Sequence, residues 1–150
     1  MAKSAYFHMT KTWQKTYKRE DPELWEWLRQ QAIKWRRKGV SMFRVDKPIK
    51  PHRARQLGYK AKTGFIVVRI RVRKGGARKP RPRSGRKPSH MGAKKFTRHI
   101  SLQKIAEQRV ARKYPNLEVV GSYLIIDDGI YKWYDVILRD PQIIRESPHK

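Results

Sequence analysis

The sequence predicts an α+β fold, in which a mostly antiparallel sheet of about four strands packs with helices and carries a long basic extended insertion. Three patterns predict this fold. Apolar residues recur at helical spacing near the N-terminus and again after residue 100. Apolar residues occupy every second position from Ile66 to Val72 within residues 64–73, which indicates a strand with an apolar face. Two apolar runs flank Asp128-Gly129, which is typical of a β-hairpin.

Two helices are predicted at the N-terminus. Residues 5–17 place large side chains on one helical face, at spacings of three, four and four: Tyr6, Met9, Trp13 and Tyr17. The second helix begins at Asp21-Pro22, where Asp can cap it and Pro suits the first turn, and it ends before Gly39. Its apolar stripe is Leu24, Leu28, Ala32 and Trp35.

The strands are predicted from alternation. Residues 40–45 form a short strand, after which Pro48 and Pro51 are expected to break regular structure. Residues 64–73 form the clearest strand. One of its faces is apolar, with Ile66, Val68, Ile70 and Val72; the other becomes a basic row toward its end, with Phe65, Val67, Arg69, Arg71 and Arg73.

Regular structure is predicted to restart at Ser101, which can cap a third long helix. Ile100 and Ile105 are placed to form a hydrophobic staple across that cap. Residues 117–127 and 130–138 then form the hairpin, and Asp140-Pro141 closes the sheet. With 150 residues, one domain is the default. We divide it into three parts: N-terminal helices over 5–38, a core over 40–73 and 100–141, and a basic insertion over 74–99.

Charge is the strongest functional signal. The chain has 38 Lys and Arg against 12 Asp and Glu, a net charge of +26. Residues 47–106 hold 20 Lys or Arg and no acid, whereas the rest of the chain has a net charge of only +6. A solvated surface would mix both signs, so a polyanionic partner is expected. Nucleic acid is the leading candidate, and an anionic membrane is second.

Other classes of function are disfavoured. There is no cysteine, the start resembles no signal peptide, and no apolar run is long enough to span a bilayer. The five histidines are scattered without metal-ligand spacing. Asp127 and Asp128 adjoin a turn glycine, which explains them better than general acid–base chemistry does. We therefore expect no enzyme, no cofactor, no metal site, no membrane and no small-molecule substrate.

The basic insertion is the main candidate site. Residues 74–88 read KGGARKPRPRSGRKP, and the only large apolar residue over 74–95 is Met91. Such a segment cannot build a core, so it is expected to be disordered or ordered by a partner. Arg can fork onto phosphate, Gly allows close backbone approach, and Pro keeps the chain extended. The alternative is a flexible linker, although linkers are not usually this cationic.

A second candidate lies just before the strand. Residues 54–64 read ARQLGYKAKTG and interleave cations with Tyr59. Tyr59 could stack on a base or serve as ordinary core, and the sequence leaves both open. Most of the five tryptophans fit core positions better than base stacking. Trp25 and Trp27 diverge on their helix, so one of them is expected to contact a partner.

Long specific segments of the chain resemble a known family. They are ARQLGYKAKTGFIVVRIRVRKGGARKPRPR over 54–83, SLQKIAEQRVARKYPNLEVVGSYLIIDDGIYKWYDVILRDP over 101–141, and LWEWLRQQAIKWRR over 24–37. They resemble the archaeal and eukaryotic e-type ribosomal protein fifteen of the large subunit. The resemblance implies an antiparallel α+β core with long extensions, lodged in large-subunit ribosomal RNA, without catalysis or an obligate cofactor. Family members usually continue past Asp140-Pro141 into a further basic extension, whereas this sequence stops at Lys150. It is therefore either a shorter member or a truncated sequence.

Composition and resemblance lead to one functional expectation. The chain is expected to be a structural constituent of the large ribosomal subunit, cytoplasmic within the ribosome, with large-subunit ribosomal RNA and neighbouring ribosomal proteins as partners. A free nucleic-acid chaperone or a chromatin-type protein is the alternative. The RNA-binding residues are expected to be Arg53, Arg55, Tyr59, Lys60, Lys62, Arg69, Arg71, Arg73, Lys74, Arg78, Lys79, Arg81, Arg83, Arg86, Lys87, Lys94, Lys95 and Arg98.

Overall fold

A computed structural model describes residues 4–76, 79–93 and 98–145 of the chain. Its helices are α1 (Ala5–Tyr17), α2 (Pro22–Arg37), α3 (Pro51–Gln56), α4 (Leu102–Lys113) and α5 (Pro141–Arg145), with one 3-10 turn at Pro88–His90. Its strands are β1 (Met42–Val45), β2 (Phe65–Arg73), β3 (Glu118–Asp127) and β4 (Tyr131–Arg139). The predicted α+β class is confirmed.

The four strands form one antiparallel sheet in the order β1-β2-β4-β3. The predicted hairpin is β3-β4, with its turn at Asp128-Gly129. Strands β2 and β4 are the central pair, and their register sets Arg69 opposite Asp135. The centre of the sheet is therefore assembled from residues far apart in the chain.

Both faces of the sheet are covered. On one face, α2 buries Leu28, Ala32 and Trp35 against Trp133 and Ile137, with help from α1 and α3. On the other face, α4 covers a second apolar cluster. Its fully buried members include Val68, Ile70, Ala106, Val110, Val136 and Leu138. Because each face has its own apolar cluster, β2 is protected from solvent on both sides.

The caps form as the sequence predicts for two helices. The Asp21 side chain accepts a hydrogen bond from the Leu24 backbone N–H (3.2 Å), and Ser101 accepts one from Lys104 N–H (3.1 Å). The staple is weaker than expected, because Ile100 is 46% exposed. Ile105 is only partly buried against the second cluster.

Residues around Pro51 differ most from the prediction. Pro51 does not break regular structure there but opens α3, a position that suits proline because the first helical N–H needs no partner. After α3, Gly58 adopts a φ of +97°, which favours glycine, and Leu57 lies 3.3 Å from where a Cβ on Gly121 would stand. Helix α3 is thus packed closely on β3, beside the predicted site residues.

Candidate RNA-binding surface

Most of the predicted site cations lie on the surface. Twelve are exposed in the structure: Arg53, Arg55, Lys60, Lys62, Arg73, Lys74, Lys79, Arg81, Arg83, Arg86, Lys87 and Arg98. Arg78, Lys94 and Lys95 lie outside the described residues. Side chains in these positions can reach a polyanion without rearrangement of the core.

Strand β2 separates the exposed cations into two groups. Arg53 to Lys62 precede its first residue, Phe65, and Lys74 follows its last residue, Arg73. Nine residues of strand span about 27 Å at roughly 3.4 Å per step. The two sequence signals therefore mark opposite ends of the sheet and do not form one compact pocket.

Few of these cations are neutralised within the protein. Eight ion pairs join described residues, and among the predicted site residues only Arg69 and Lys74 take part in them. The acids of the chain instead pair mainly with Lys and Arg outside the predicted site. The charge of the predicted site is thus left available for a partner.

Arg69 is the clear correction to the predicted site. The residue is 4% exposed, and its side chain forms two hydrogen bonds to Asp135, Nε to Oδ1 at 2.8 Å and a terminal nitrogen to Oδ2 at 3.1 Å. Its guanidinium also lies 4.2 Å from the ring centroid of Trp35. The expected basic row on β2 is therefore wrong at this position, because α2 covers that face and buries Arg69 in the core.

Arg71 and Tyr59 also make contacts within the folded protein. Arg71 donates to the backbone oxygen of Gly39 (3.0 Å) and lies over the ring of Tyr131, 5.0 Å from its centroid. Tyr59 packs against the first apolar cluster and meets Phe65 edge to face, with centroids 6.1 Å apart. Both side chains are partly exposed, so each can also present an edge to a partner.

The entry to the insertion is anchored at the hairpin turn. The Lys74 backbone N–H donates to Ile130 O (2.8 Å), and its ammonium lies 2.7 Å from Asp127 Oδ1. Over residues 79–93, the only regular element is the 3-10 turn Pro88–His90. There, Arg81 Nε donates to Met91 O at 3.0 Å. This stretch has no strand of its own and leaves its cations on the surface.

A family model described as Ribosomal L15 matches residues 4–149, nearly the whole chain. The chain belongs to the ribosomal L15e family. The predicted relationship to the eukaryotic and archaeal large-subunit protein is therefore confirmed. L15e membership makes the chain a structural constituent of the large ribosomal subunit, located in the ribosome, with ribosomal RNA and ribosomal proteins as partners.

Catalysis, membrane-spanning helices and metal-binding clusters are not expected for this L15e chain. Family membership is consistent with a structural and not a catalytic role. Across residues 4–76, 79–93 and 98–145, no helix is long and apolar enough to cross a membrane. The same residues contain no cluster of three or more His, Asp or Glu side chains that could hold a metal ion.

The sequence reasoning missed a polar site beside α3 in this L15e chain. Lys50 is 4% exposed, contacts the Tyr17 hydroxyl and Leu124 O, and lies 4.7 Å from the ring centroid of Trp13. Burial lowers the pKa of Lys50 to about 7, an effect that the nearby Asp135 carboxylate partly opposes. In the sequence, Lys50 is indistinguishable from the other cations of the acid-free stretch. The one signal near it is Pro51, which suits the first position of a helix.

Proposed function

We propose that this L15e chain stabilises folded ribosomal RNA mainly through phosphate neutralisation by the basic insertion over residues 74–99, aided by the cations before β2. The observation that carries the proposal is the acid-free stretch over residues 47–106. In the described part of that stretch, the cations are mostly exposed and lack ion-pair partners. A surface of this kind is costly in isolation, because its charges repel one another, and is stabilised by a polyanion.

The chemistry of the insertion suits the RNA backbone. Arg83 and Arg86 can each donate two hydrogen bonds to one phosphate, and each neutralised phosphate releases counterions. Gly75 and Gly85 adopt positive φ values of 101° and 64°, which let the chain turn without a side chain in the way. Prolines between the arginines favour an extended backbone. The segment can therefore follow a narrow path between RNA helices that a globular surface cannot enter.

Ordering of the insertion is expected to depend on RNA. Fixing each residue costs roughly 1–2 kcal/mol of backbone entropy, and the only large apolar side chain over 74–95 is Met91. Charge-assisted bonds to phosphate offset that cost in the subunit. The sheet then serves as a rigid body that holds Lys62 and Lys74 at its two ends, so that specificity comes mainly from the shape of the RNA.

Limited trypsin digestion of the free chain and of intact large subunits tests this proposal. Arg83 and Arg86 are exposed and are not followed by proline, so trypsin is expected to cut the free chain there and to spare the same bonds in the subunit. Arg109 lies within α4 and is an internal control that should resist cleavage in both states. Equal cleavage after Arg83 and Arg86 in both states would contradict the proposal.

A further inference from the structure

A cavity of about 290 Å³ lies between α1, α3 and β3. We propose that it receives a single unstacked nucleotide of RNA, with the base inside and the phosphate at Arg53 on its rim. This inference deepens the proposed function and rests on it. Among the described residues, those that line the cavity all lie outside the insertion, so the two can be tested separately.

The walls of the cavity combine aromatic surface with polar side chains. Trp13 and Tyr17 line it from α1, and Tyr123 lines it from β3. Thr10 and Gln14 of α1 and Gln103 of α4 add polar groups. Aromatic faces stack on any base, and amide groups can bond base edges, so this mixture fits a nucleobase better than a purely apolar ligand.

His52 is a buried polar residue whose ring nitrogen Nδ1 lacks a hydrogen-bond partner among the described residues. It is only 6% exposed, and it lines the cavity. Burial, together with the positive charges of Lys50 and Arg53, lowers the pKa of His52. Its ring is therefore neutral at physiological pH and offers one donor and one acceptor, as base edges do. Buried polar groups without partners are costly, which favours a ligand that supplies one.

The charge around the cavity selects an anionic ligand. None of the residues that line it is acidic, and Lys50 and Arg53 are both among them. Two carboxylates lie one hydrogen bond behind its walls, and both are already engaged: Glu107 accepts from the Ser122 hydroxyl at 2.7 Å, and Asp135 accepts from the Tyr123 hydroxyl at 2.9 Å and pairs with Arg69. The Arg53 side chain is exposed and, among the described residues, donates a hydrogen bond only to the side chain of Gln56 (3.1 Å), so it can turn to a phosphate. Arg53 is itself one of the predicted RNA-binding residues.

Lys50 places a titratable amino group behind the base, because burial lowers its pKa to about 7. Its ammonium is held by the Tyr17 hydroxyl and Leu124 O, with the Tyr17 ring centroid at 4.3 Å. Because these contacts already satisfy the ammonium, it need not move to bind a ligand. A negative group that enters the cavity would favour the charged form of Lys50. Nucleotide binding and protonation of Lys50 are therefore thermodynamically coupled, and each favours the other.

Nuclear magnetic resonance of the full chain with ¹⁵N-labelled histidine tests the proposal. The probes are adenosine and uridine 5′-monophosphate, inorganic phosphate and an acidic hexapeptide, each added to millimolar concentration. The His52 signals are assigned with a His52→Gln variant. We expect saturable shifts of the His52 ring nitrogens with at least one nucleotide and none with phosphate alone. Equal saturable shifts with phosphate, shifts only with the acidic peptide, or no shift with either nucleotide would each overturn it.

Variants separate binding from folding. Gln14→Ala changes an exposed helical residue and should leave the urea midpoint unchanged, yet weaken the nucleotide at least threefold by loss of one hydrogen bond. Trp13→Leu should weaken it at least fivefold by loss of stacking. Trp27→Leu is the matched control, because Trp27 is 47% exposed on α2 and does not line the cavity. Normal affinity in both cavity variants would overturn the proposal.

The outcome is independent of the insertion. A chain that lacks residues 77–88 should retain the His52 response, since none of the described residues 79–88 lines the cavity. If the insertion proves unimportant for RNA binding, only the proposed function fails; if His52 does not respond, only the nucleotide site fails.

Discussion

Replacing Arg69 with Met should destabilise the chain strongly without changing how it responds to salt when it binds RNA. In the structure, Arg69 and Asp135 form a buried ion pair with two hydrogen bonds, and Asp135 also accepts from the Tyr123 hydroxyl at 2.9 Å. The Arg69→Met variant leaves the fully buried Asp135 carboxylate without its cation. Removing one partner of a buried pair costs about 3–5 kcal/mol. That is a large part of the roughly 5–15 kcal/mol that stabilises a typical domain.

Urea unfolding followed by tryptophan fluorescence measures this loss. Arg73→Met is the matched control, because Arg73 lies on the same strand but is exposed, and it should change stability by less than about 0.5 kcal/mol. An Arg69→Met, Asp135→Leu double variant should recover most of the loss, since neither charge is then left unpaired.

For the salt dependence of RNA binding, Arg73→Met should have the larger effect and Arg69→Met the smaller one. Arg73→Met should make the slope of log affinity against log salt shallower by about 0.7–0.9 if Arg73 contacts a phosphate, and Arg69→Met should leave the slope unchanged. The reasoning is refuted if Arg69→Met costs less than about 1 kcal/mol, or if it changes the salt slope as Arg73→Met does.

Three further predictions concern the core and its polar site. The pKa of Lys50 is lowered to about 7 in the folded chain, so the unfolded chain binds more protons above pH 7, and stability should rise by about 2 kcal/mol from pH 7 to pH 9. Urea unfolding of Lys50→Met at both pH values should show no such rise, and an equal rise would contradict the assignment. Leu28→Ala should lower the free energy of unfolding in urea by about 2–5 kcal/mol, because Leu28 is fully buried. Ile105→Ala should lower it clearly less, because Ile105 is only partly buried. Equal losses for the two variants would contradict the partial burial of Ile105. Gly58→Ala should lower the thermal midpoint, because alanine at a φ of +97° is strained by about 1–2 kcal/mol. Steric crowding does not add to this cost, since the surroundings leave room for a Cβ. An unchanged midpoint would contradict the prediction and show that the backbone relaxes at this turn.

Local sequence signals predicted the long elements well. Helix α2 could be found because Asp21, Pro22 and Gly39 mark its ends and its apolar stripe repeats at helical spacing. The β3-β4 hairpin could be found because Asp128-Gly129 separates two apolar runs. These signals lie within a few residues of one another, so they do not depend on the rest of the fold.

The errors arose where distant residues decide the outcome. Alternation along β2 assigned Arg69 to a face, but it could not show that α2 covers that face or that the strand register brings Asp135 opposite. An Asp within the apolar run of β4 was the one sequence signal of a buried cation partner. Helix α3 was missed because Pro51 was interpreted as a breaker, although proline also suits the first helical position. The burial of Lys50 depends on α1, which lies more than thirty residues away.

The salt dependence of RNA binding, compared between the full chain and a chain without residues 77–88, tests the central claim most directly. The deletion removes six Lys or Arg: Arg78, Lys79, Arg81, Arg83, Arg86 and Lys87. If these cations neutralise phosphates of ribosomal RNA, the slope of log affinity against log salt should become shallower by about 4–5, at roughly 0.7–0.9 per contact. A slope that changes by less than about one unit, with the core still folded, would contradict the claim that the insertion holds the RNA.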